Sequence, residues 1–129
     1  MKRHKLNLMS IQYSEKELEN NIKLFSSYYD DWDNISKCQT LSEEFIEKHL
    51  FQLNWFLISK YQNLSEKFIE KHSDKVDWKY ISRYQKLSGQ FIKNYINRIN
   101  LDGIMLNKKI SKKLKNKIEQ EIKTLKEII

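Results

Sequence analysis

Apolar residues recur with a helical spacing in three consecutive segments of this chain, and each segment begins with a tryptophan. The tryptophans are Trp32, Trp55 and Trp78, so the period is 23 residues without an insertion. With the tryptophan as position 0, apolar or aromatic side chains are common at +3 and +6, and a second series stands at +9, +13 and +14. Spacings of three and four residues place side chains on one face of an α-helix. Each copy of the repeat therefore predicts two short amphipathic helices.

Polar residues at two positions of the repeat indicate where these helices begin. An aspartate or asparagine stands just before position 0, at Asp31, Asn54, Asp77 and Asn100. A serine stands at +10, at Ser42, Ser65 and Ser88. Side-chain oxygens of these residue types accept hydrogen bonds from the first unpaired amides of a helix. We expect the first helix of each copy to begin at position 0 and the second helix to begin after the serine.

The segments that flank the three copies are similar to incomplete repeats. Residues 101–129 keep Ser111 and several apolar residues in register, and Ser14 and Glu15 begin a segment like the second helix. A helix pair of this length cannot bury its own aromatic face, so the copies must stack on one another. We predict an all-α fold, a short solenoid-like stack of 23-residue helix–turn–helix repeats in a single domain of residues 1–129. The predicted parts are an N-terminal cap (1–31), three repeats (32–100), and a degenerate fourth repeat with a basic amphipathic C-terminal helix (101–129).

The repeated residues resemble a known group of tandem repeats. The shared pattern, W-x-x-I-S-x-Y-Q-x-L-S-E-x-F-I, is similar to repeats in proteins of large DNA viruses, some phages and some bacteria. The resemblance covers residues 32–100 well and residues 101–122 weakly. It implies a helical repeat fold and a viral or mobile-element setting, and it implies no catalytic residue. Cys38 departs from the tyrosine of the pattern, and Gly89 departs from its glutamate.

Composition narrows the class of protein further. The chain has no proline and two glycines, so it lacks the turn residues that β-sandwiches, barrels and phosphate-binding loops require. Its single cysteine cannot form an intramolecular disulfide, which favours an intracellular protein. With the viral setting that the resemblance implies, we expect it in the cytoplasm of a host cell. No run of about 18 apolar residues occurs, so we expect no membrane span.

Residues that could carry chemistry fit structural roles better. No common nucleotide-binding, hydrolase or zinc-protease motif is present. His49 and His72 occupy the same repeat position, and Cys38 stands in a tyrosine position, so packing explains them better than metal binding or catalysis. We expect neither an enzyme nor a cofactor or metal site. An identical glutamine stands at +7 in every full copy, at Gln39, Gln62 and Gln85. We expect these amides to pair with turn backbone, with contact to a ligand as the alternative.

The first copy carries an apolar cluster after its second helix. Where the next copy is largely polar, this copy has Leu50, Phe51, Phe56 and Leu57. Exposed apolar clusters mark interaction surfaces. The alternative is that these side chains pack on the N-terminal segment, which contains Leu18, Ile22, Leu24 and Phe25.

The positive charge is concentrated at the two ends of the chain. Of the formal net charge of +7, residues 1–5 contribute +3, residues 6–92 contribute −2 and residues 93–129 contribute +6. The lysines at the start of the predicted C-terminal helix are Lys108, Lys109, Lys112, Lys113, Lys115 and Lys117. Cations oppose the dipole at a helix N-terminus, so a nucleic acid or an acidic protein face would relieve them, and a solvated cap face is the alternative. We expect the tyrosines to lie at core positions, where they cannot stack on bases, and this disfavours binding of a nucleic acid.

Together these features predict a non-enzymatic helical-repeat module that binds a host protein or ribonucleoprotein complex. The viral setting that the resemblance implies makes an inhibitor of a host defence complex, such as a CRISPR effector, the most specific hypothesis. It would act by occluding a surface. The alternatives are a nucleic-acid-binding protein that uses the lysines and a self-assembling scaffold that uses the apolar cluster.

Overall fold

A computed structural model of the protein describes residues 6–22 and 30–128. The regular structure of these residues consists of helices, with no β-strand, so the prediction of an all-α fold is confirmed. The chain divides into two compact units, Met1–Leu64 and Ser65–Ile129, which we call unit 1 and unit 2. The single domain of residues 1–129 stays a prediction.

The described parts of unit 1 and unit 2 contain four and five helices. Those of unit 1 are α1 (Glu15–Asn20), α2 (Asp30–Cys38), α3 (Glu43–Lys48) and α4 (Trp55–Tyr61). Those of unit 2 are α5 (Glu66–Lys71), α6 (Trp78–Tyr84), α7 (Gly89–Asn94), α8 (Leu101–Leu106) and α9 (Lys112–Ile128). All except the 17-residue α9 are too short to be stable in isolation, so tertiary contacts must hold them in place.

Most helices begin where the sequence predicts. Asn54, Asp77 and Asn100 cap α4, α6 and α8, each accepting a hydrogen bond from a backbone N–H of the first turn. The predicted serines cap α3, α5 and α7 in the same way. The exception is α2, which begins at Asp30, so Asp31 lies inside the helix and not before it.

Each unit is packed around isoleucines that have no exposed surface. In unit 1 these include Ile35, Ile46 and Ile58. In unit 2 they include Ile69, Ile81 and Ile104. All six stand at +3 or +14 of the repeat, so the two apolar series seen in the sequence are the core-facing sides of the helices.

Rings at positions 0, +13 and +17 form a second layer of the core. In unit 1 the ring of His49 lies 4.5 Å from that of Phe45 and 5.5 Å from that of Trp32. In the third copy Tyr95 takes the place of the histidine, 5.3 Å from the ring of Trp78. The repeat position of His49 is therefore an aromatic packing position.

Gln62 ties its own copy to the preceding one through its side-chain amide. The Nε2 atom donates to the carbonyl oxygens of Ser36 and Gln39, at 2.9 Å and 2.6 Å. The Oε1 atom accepts from the N–H of Leu41 at 3.0 Å. The carbonyl groups at the end of α2 have no partner within the helix, so the buried amide supplies one. The glutamine pairs with turn backbone as predicted, but the turn belongs to the copy before its own.

The N-terminal segment receives the same contacts from Gln39. Its Nε2 atom donates to the carbonyl oxygens of Leu8 and Ile11 at 2.8 Å and 2.7 Å, and its Oε1 atom accepts from the N–H of Tyr13 at 2.9 Å. Counted back along the chain from the glutamine that contacts it, each of these partners lies five residues further away than the corresponding partner of Gln62. The segment before α1 is therefore hydrogen-bonded like the turn of a preceding copy. Ile11 lies 28 residues before Gln39, however, whereas Gln39 lies 23 residues before Gln62.

Asn107 makes the equivalent contact at the other end of the series. It is fully buried, and its Nδ2 atom donates to the carbonyl oxygens of Ser82 and Gln85, both at 2.8 Å. The 23-residue register places Lys108, and not Asn107, at +7. A shorter side chain one position earlier thus replaces the glutamine, which the sequence pattern did not indicate.

Serines at +4 provide a second link between copies. The Oγ atom of Ser36 accepts from the N–H of Asn54 at 2.9 Å, and that of Ser82 accepts from the N–H of Asn100 at 2.9 Å. Both serines have no exposed surface. Each link fixes the residue that caps the first helix of the following copy.

Gly89 makes room for the C-terminal helix. In the preceding copy the corresponding residue, Glu66, accepts from the N–H of Ser88 at 2.6 Å. A Cβ atom on Gly89 would lie 3.0 Å from Cδ1 of Leu114, because α9 passes close to α7 there. A side chain at residue 89 would therefore require the end of the Leu114 side chain to shift by a few tenths of an ångström.

Replacement of Gln62 by leucine tests the amide link. Gln62→Leu leaves two carbonyl groups and one N–H buried without their partner, so the free energy of unfolding should fall by about 3 kcal/mol. Urea unfolding followed by tryptophan fluorescence measures this loss. The exposed Gln52 is the matched control in the same unit, and Gln52→Leu should change stability by less than about 0.5 kcal/mol. Equal stabilities for the two variants would contradict the link.

Candidate interaction surfaces

The apolar cluster of the first copy lies at the turn between α3 and α4. The side chain of Phe51 is 90% exposed in the turn, and that of Phe56 is 60% exposed in the first turn of α4. Leu50 and Leu57 are half-buried beside them. The turn is fixed because Nε1 of Trp55 donates to the carbonyl oxygen of Leu50 at 2.9 Å. The two phenylalanines therefore project into solvent from a hydrogen-bonded support.

The N-terminal segment is the alternative partner for this cluster. Leu18 on α1 is completely buried and Ile22 is half-buried. Leu24 and Phe25 lie outside the described residues. The exposure of Phe51 and Phe56 shows that packing within the chain leaves most of their surface accessible.

The predicted lysine group lies in the turn before α9 and in the first turns of that helix. Lys108 and Lys109 belong to the turn, and both are exposed. On α9, Lys112, Lys113 and Lys117 are exposed and Lys115 is half-buried. Within the described residues, no carboxylate lies within 4.0 Å of any of these six amines. The first turn of α9 contains no acidic residue, so its lysines oppose the helix dipole as predicted.

The lysine group is divided between two environments. Lys108 and Lys109 line a cavity of about 250 Å³ together with Arg83, Tyr84, Leu106 and Asn107. Lys117 faces the groove between α7 and α9. Sequence reasoning missed Arg83 and Tyr84 as possible site residues. The signal was the recurrence of a cation at +5 and an aromatic ring at +6, as in the dipeptides Lys60–Tyr61 and Arg83–Tyr84.

The expectation that these tyrosines lie at core positions is wrong. Tyr61 is 43% exposed, and Tyr84 is half-buried at the edge of the cavity. Position +6 lies at the last residue of α4 and of α6, where the helix leaves the core. At this edge, burial therefore does not prevent the tyrosine rings from stacking on bases.

His49 and Cys38 have surroundings that suit packing. The Nε2 atom of His49 is buried and makes no hydrogen bond with the described residues, and it lies 3.8 Å from Oε1 of Glu19. Burial lowers the pKa of the His49 imidazole below its ordinary value of 6.5, and the carboxylate of Glu19 opposes this shift. Cys38 is a half-buried free thiol. Within residues 6–22 and 30–128, no three His, Cys, Asp or Glu side chains are grouped so that they could hold a metal ion.

The lowered pKa of His49 makes stability depend on pH. The unfolded chain binds a proton to this imidazole more readily than the folded chain does, so stability falls as pH drops below 6.5 toward the folded pKa. We expect His49→Tyr, which introduces the side chain found at the same position in the third copy, to reduce this loss. Thermal unfolding between pH 7.5 and pH 5 measures it. Glu19→Gln should make the loss steeper, and parallel curves for all three proteins would contradict the assignment.

Comparisons with known proteins add no assignment to these surfaces. No family model, no curated protein and no solved structure matches the chain. Among the described residues, no helix is both long enough and apolar enough to cross a bilayer. The functional interpretation therefore depends on the geometry of the two surfaces.

Proposed function

We propose that this chain is a non-enzymatic protein-binding module whose contact surface is centred on Phe51 and Phe56. The supporting observation is the exposure of the two aromatic side chains, 90% and 60%, within six residues of one another. Aromatic residues are enriched in the buried centres of protein interfaces, and a few of them provide most of the binding energy. Both rings become buried when an apolar protein surface covers them.

The support beneath the two rings favours binding. Leu53 is buried in the same turn, and its N–H donates to the carbonyl oxygen of His49 at 3.2 Å. The indole N–H of Trp55 also holds the turn through its hydrogen bond to the carbonyl oxygen of Leu50. A contact surface that is already ordered loses less conformational entropy when it binds.

The surface lies at the junction of the first and second copies, and the next junction lacks it. The positions of Phe51 and Phe56 are taken in the following copy by Asp74 and Lys79, which are exposed. The core positions +3, +9, +13 and +14, in contrast, keep the same apolar residues in all three copies. The apolar residues at these two exposed positions are thus not required by the repeat, which favours a role in binding.

In its most specific form, the proposal is that the partner is a component of a host defence complex, such as a CRISPR effector. The chain would inhibit the complex by covering one of its surfaces. The viral and mobile-element setting implied by the repeat pattern supports this form.

The double variant Phe51→Ser/Phe56→Ser tests the proposal. Affinity capture from a nuclease-treated host lysate, with the full chain as bait, should retain a partner that the double variant loses. The purified partner should then form a 1:1 complex with the wild-type chain, weakened at least about a hundredfold by the double substitution, since a central aromatic residue contributes about 2 kcal/mol or more.

A matched control separates this surface from apolar exposure in general. Leu125 is 59% exposed on α9, so Leu125→Ser removes exposed apolar area elsewhere and should leave the complex unchanged. Equal loss in the two variants, or no loss in either, would contradict the proposal.

Sedimentation of the purified chain addresses the alternative of self-assembly. If the wild-type chain self-associates and only the double variant is monomeric, the surface joins copies of this chain and the partner proposal is wrong.

A further inference from the structure

A concave site in unit 2 combines positive charge with an aromatic ring. It lies between the C-terminal end of α6 and the turn that joins α8 to α9, and its volume is about 250 Å³. Its lining residues are Arg83, Tyr84, Leu106, Asn107, Lys108 and Lys109. The site is remote in sequence from Phe51 and Phe56, and the proposed protein contact makes no use of it.

The charge of the site is entirely positive. Arg83, Lys108 and Lys109 contribute three cations, and no acidic residue lines the cavity. Lys108 and Lys109 are exposed, so their amines can reach a ligand without a rearrangement of the backbone. A guanidinium and two amines around one concavity favour a group that carries phosphate.

Asn107 holds the floor of the site in place. Its Nδ2 atom makes the two buried hydrogen bonds to unit 2 backbone described above, and its Oδ1 atom accepts from the N–H of Lys109 at 2.8 Å. The turn that carries Lys108 and Lys109 is therefore anchored at a buried residue. Both donor hydrogens of the amide are already used, so recognition must come from the rim.

The rim offers flat and apolar surface as well as charge. Tyr84 is half-buried, the guanidinium of Arg83 lies 5.6 Å from the centre of its ring, and the ring of Tyr80 lies 6.0 Å away. Leu106, which is 57% exposed, borders the same cavity. An acidic peptide would use the cations but would gain little from the ring and the leucine. A nucleotide uses both, because its base stacks on an aromatic side chain while its phosphate pairs with cations.

Unit 1 carries the same combination at the same repeat positions. The ring of Tyr61 is 43% exposed, and the amines of Lys37 and Lys60 lie 5.5 Å and 5.1 Å from its centre. Core packing does not require a cation beside an exposed ring in each unit. The recurrence points to a ligand with repeated aromatic and anionic groups.

From these observations we infer that the cavity bordered by Tyr84, Arg83, Lys108 and Lys109 binds a nucleotide of a single-stranded nucleic acid. The base lies against Tyr84 and Leu106, and the neighbouring phosphates contact the three cations. Binding is insensitive to sequence, because every base has a face that can stack, and it weakens with salt because the phosphate contacts release counterions. A volume of about 250 Å³ is small for a drug-sized ligand and suits one base with its sugar.

Fluorescence anisotropy with the full chain and a short fluorescein-labelled oligo(dT) tests the inference. We expect Lys108→Glu/Lys109→Glu to weaken binding by about tenfold or more and to reduce the slope of log affinity against log salt by about 1.4. The matched control is Lys112→Glu/Lys113→Glu, which makes the same change in net charge with exposed lysines outside the cavity and should weaken binding by less than about threefold. Circular dichroism confirms that both variants fold.

A second probe tests stacking without any change to the protein. An abasic oligomer of equal length and charge should bind the wild-type chain about tenfold more weakly than oligo(dT), since stacking provides part of the affinity. Equal affinity for the two oligomers would reduce the site to a general anion site and overturn the inference. So would equal effects of the two lysine pairs, an absence of binding at low salt, or displacement of oligo(dT) by polyglutamate at matched charge. Phe51→Ser/Phe56→Ser should bind oligo(dT) like the wild type, so the outcome is independent of the proposed protein contact.

Discussion

The structure depends on one recurring contact, in which a buried side-chain amide completes the backbone of a turn from the preceding copy. Gln39 and Gln62 both show it, each with two carbonyl groups and one N–H bonded to a single side chain. Helices of six or seven residues leave most of their terminal backbone groups without partners inside the helix. A buried primary amide both donates and accepts, so it can satisfy several of these groups at once. An apolar core alone would bury them at a cost that helices this short could not offset.

Much of this fold could be predicted from the sequence because its signals are local and repeated. The spacing of isoleucines and aromatic residues indicates the helix faces, and the serine and Asx caps give most of the helix starts. The partner of Gln62 could not be predicted, because a glutamine in a turn can reach the backbone of its own turn or of a neighbouring one. Asn107 was missed for a related reason. Its side chain is shorter and stands one position earlier, so the same contact is made outside the 23-residue register.

The candidate surfaces were predicted less completely than the fold. Exposed and buried positions alternate at the ends of these helices. The residue type at a single position, such as +6, does not indicate whether the last residue of the helix faces the core or the solvent. Tyr61 and Tyr84 therefore looked like core residues, although each lies beside a cation at the edge of its unit. The lysines near α9 were evident from charge alone. Their division between a cavity and an open helix face depends on where α8 ends and on the buried Asn107, neither of which follows from composition.

The amide contacts of Gln39 and Gln62 run in one direction along the chain, from a later copy to an earlier turn. Gln39 reaches back to Leu8 and Ile11, and Gln62 reaches back to Ser36 and Gln39. During synthesis on the ribosome, each turn emerges before the glutamine that completes it. A newly made copy therefore remains without its full set of hydrogen bonds until roughly one more repeat has left the exit tunnel. Vectorial folding is thus built into the hydrogen-bonding pattern, and Asn107 makes the same backward contact from a residue close to the C-terminal helix.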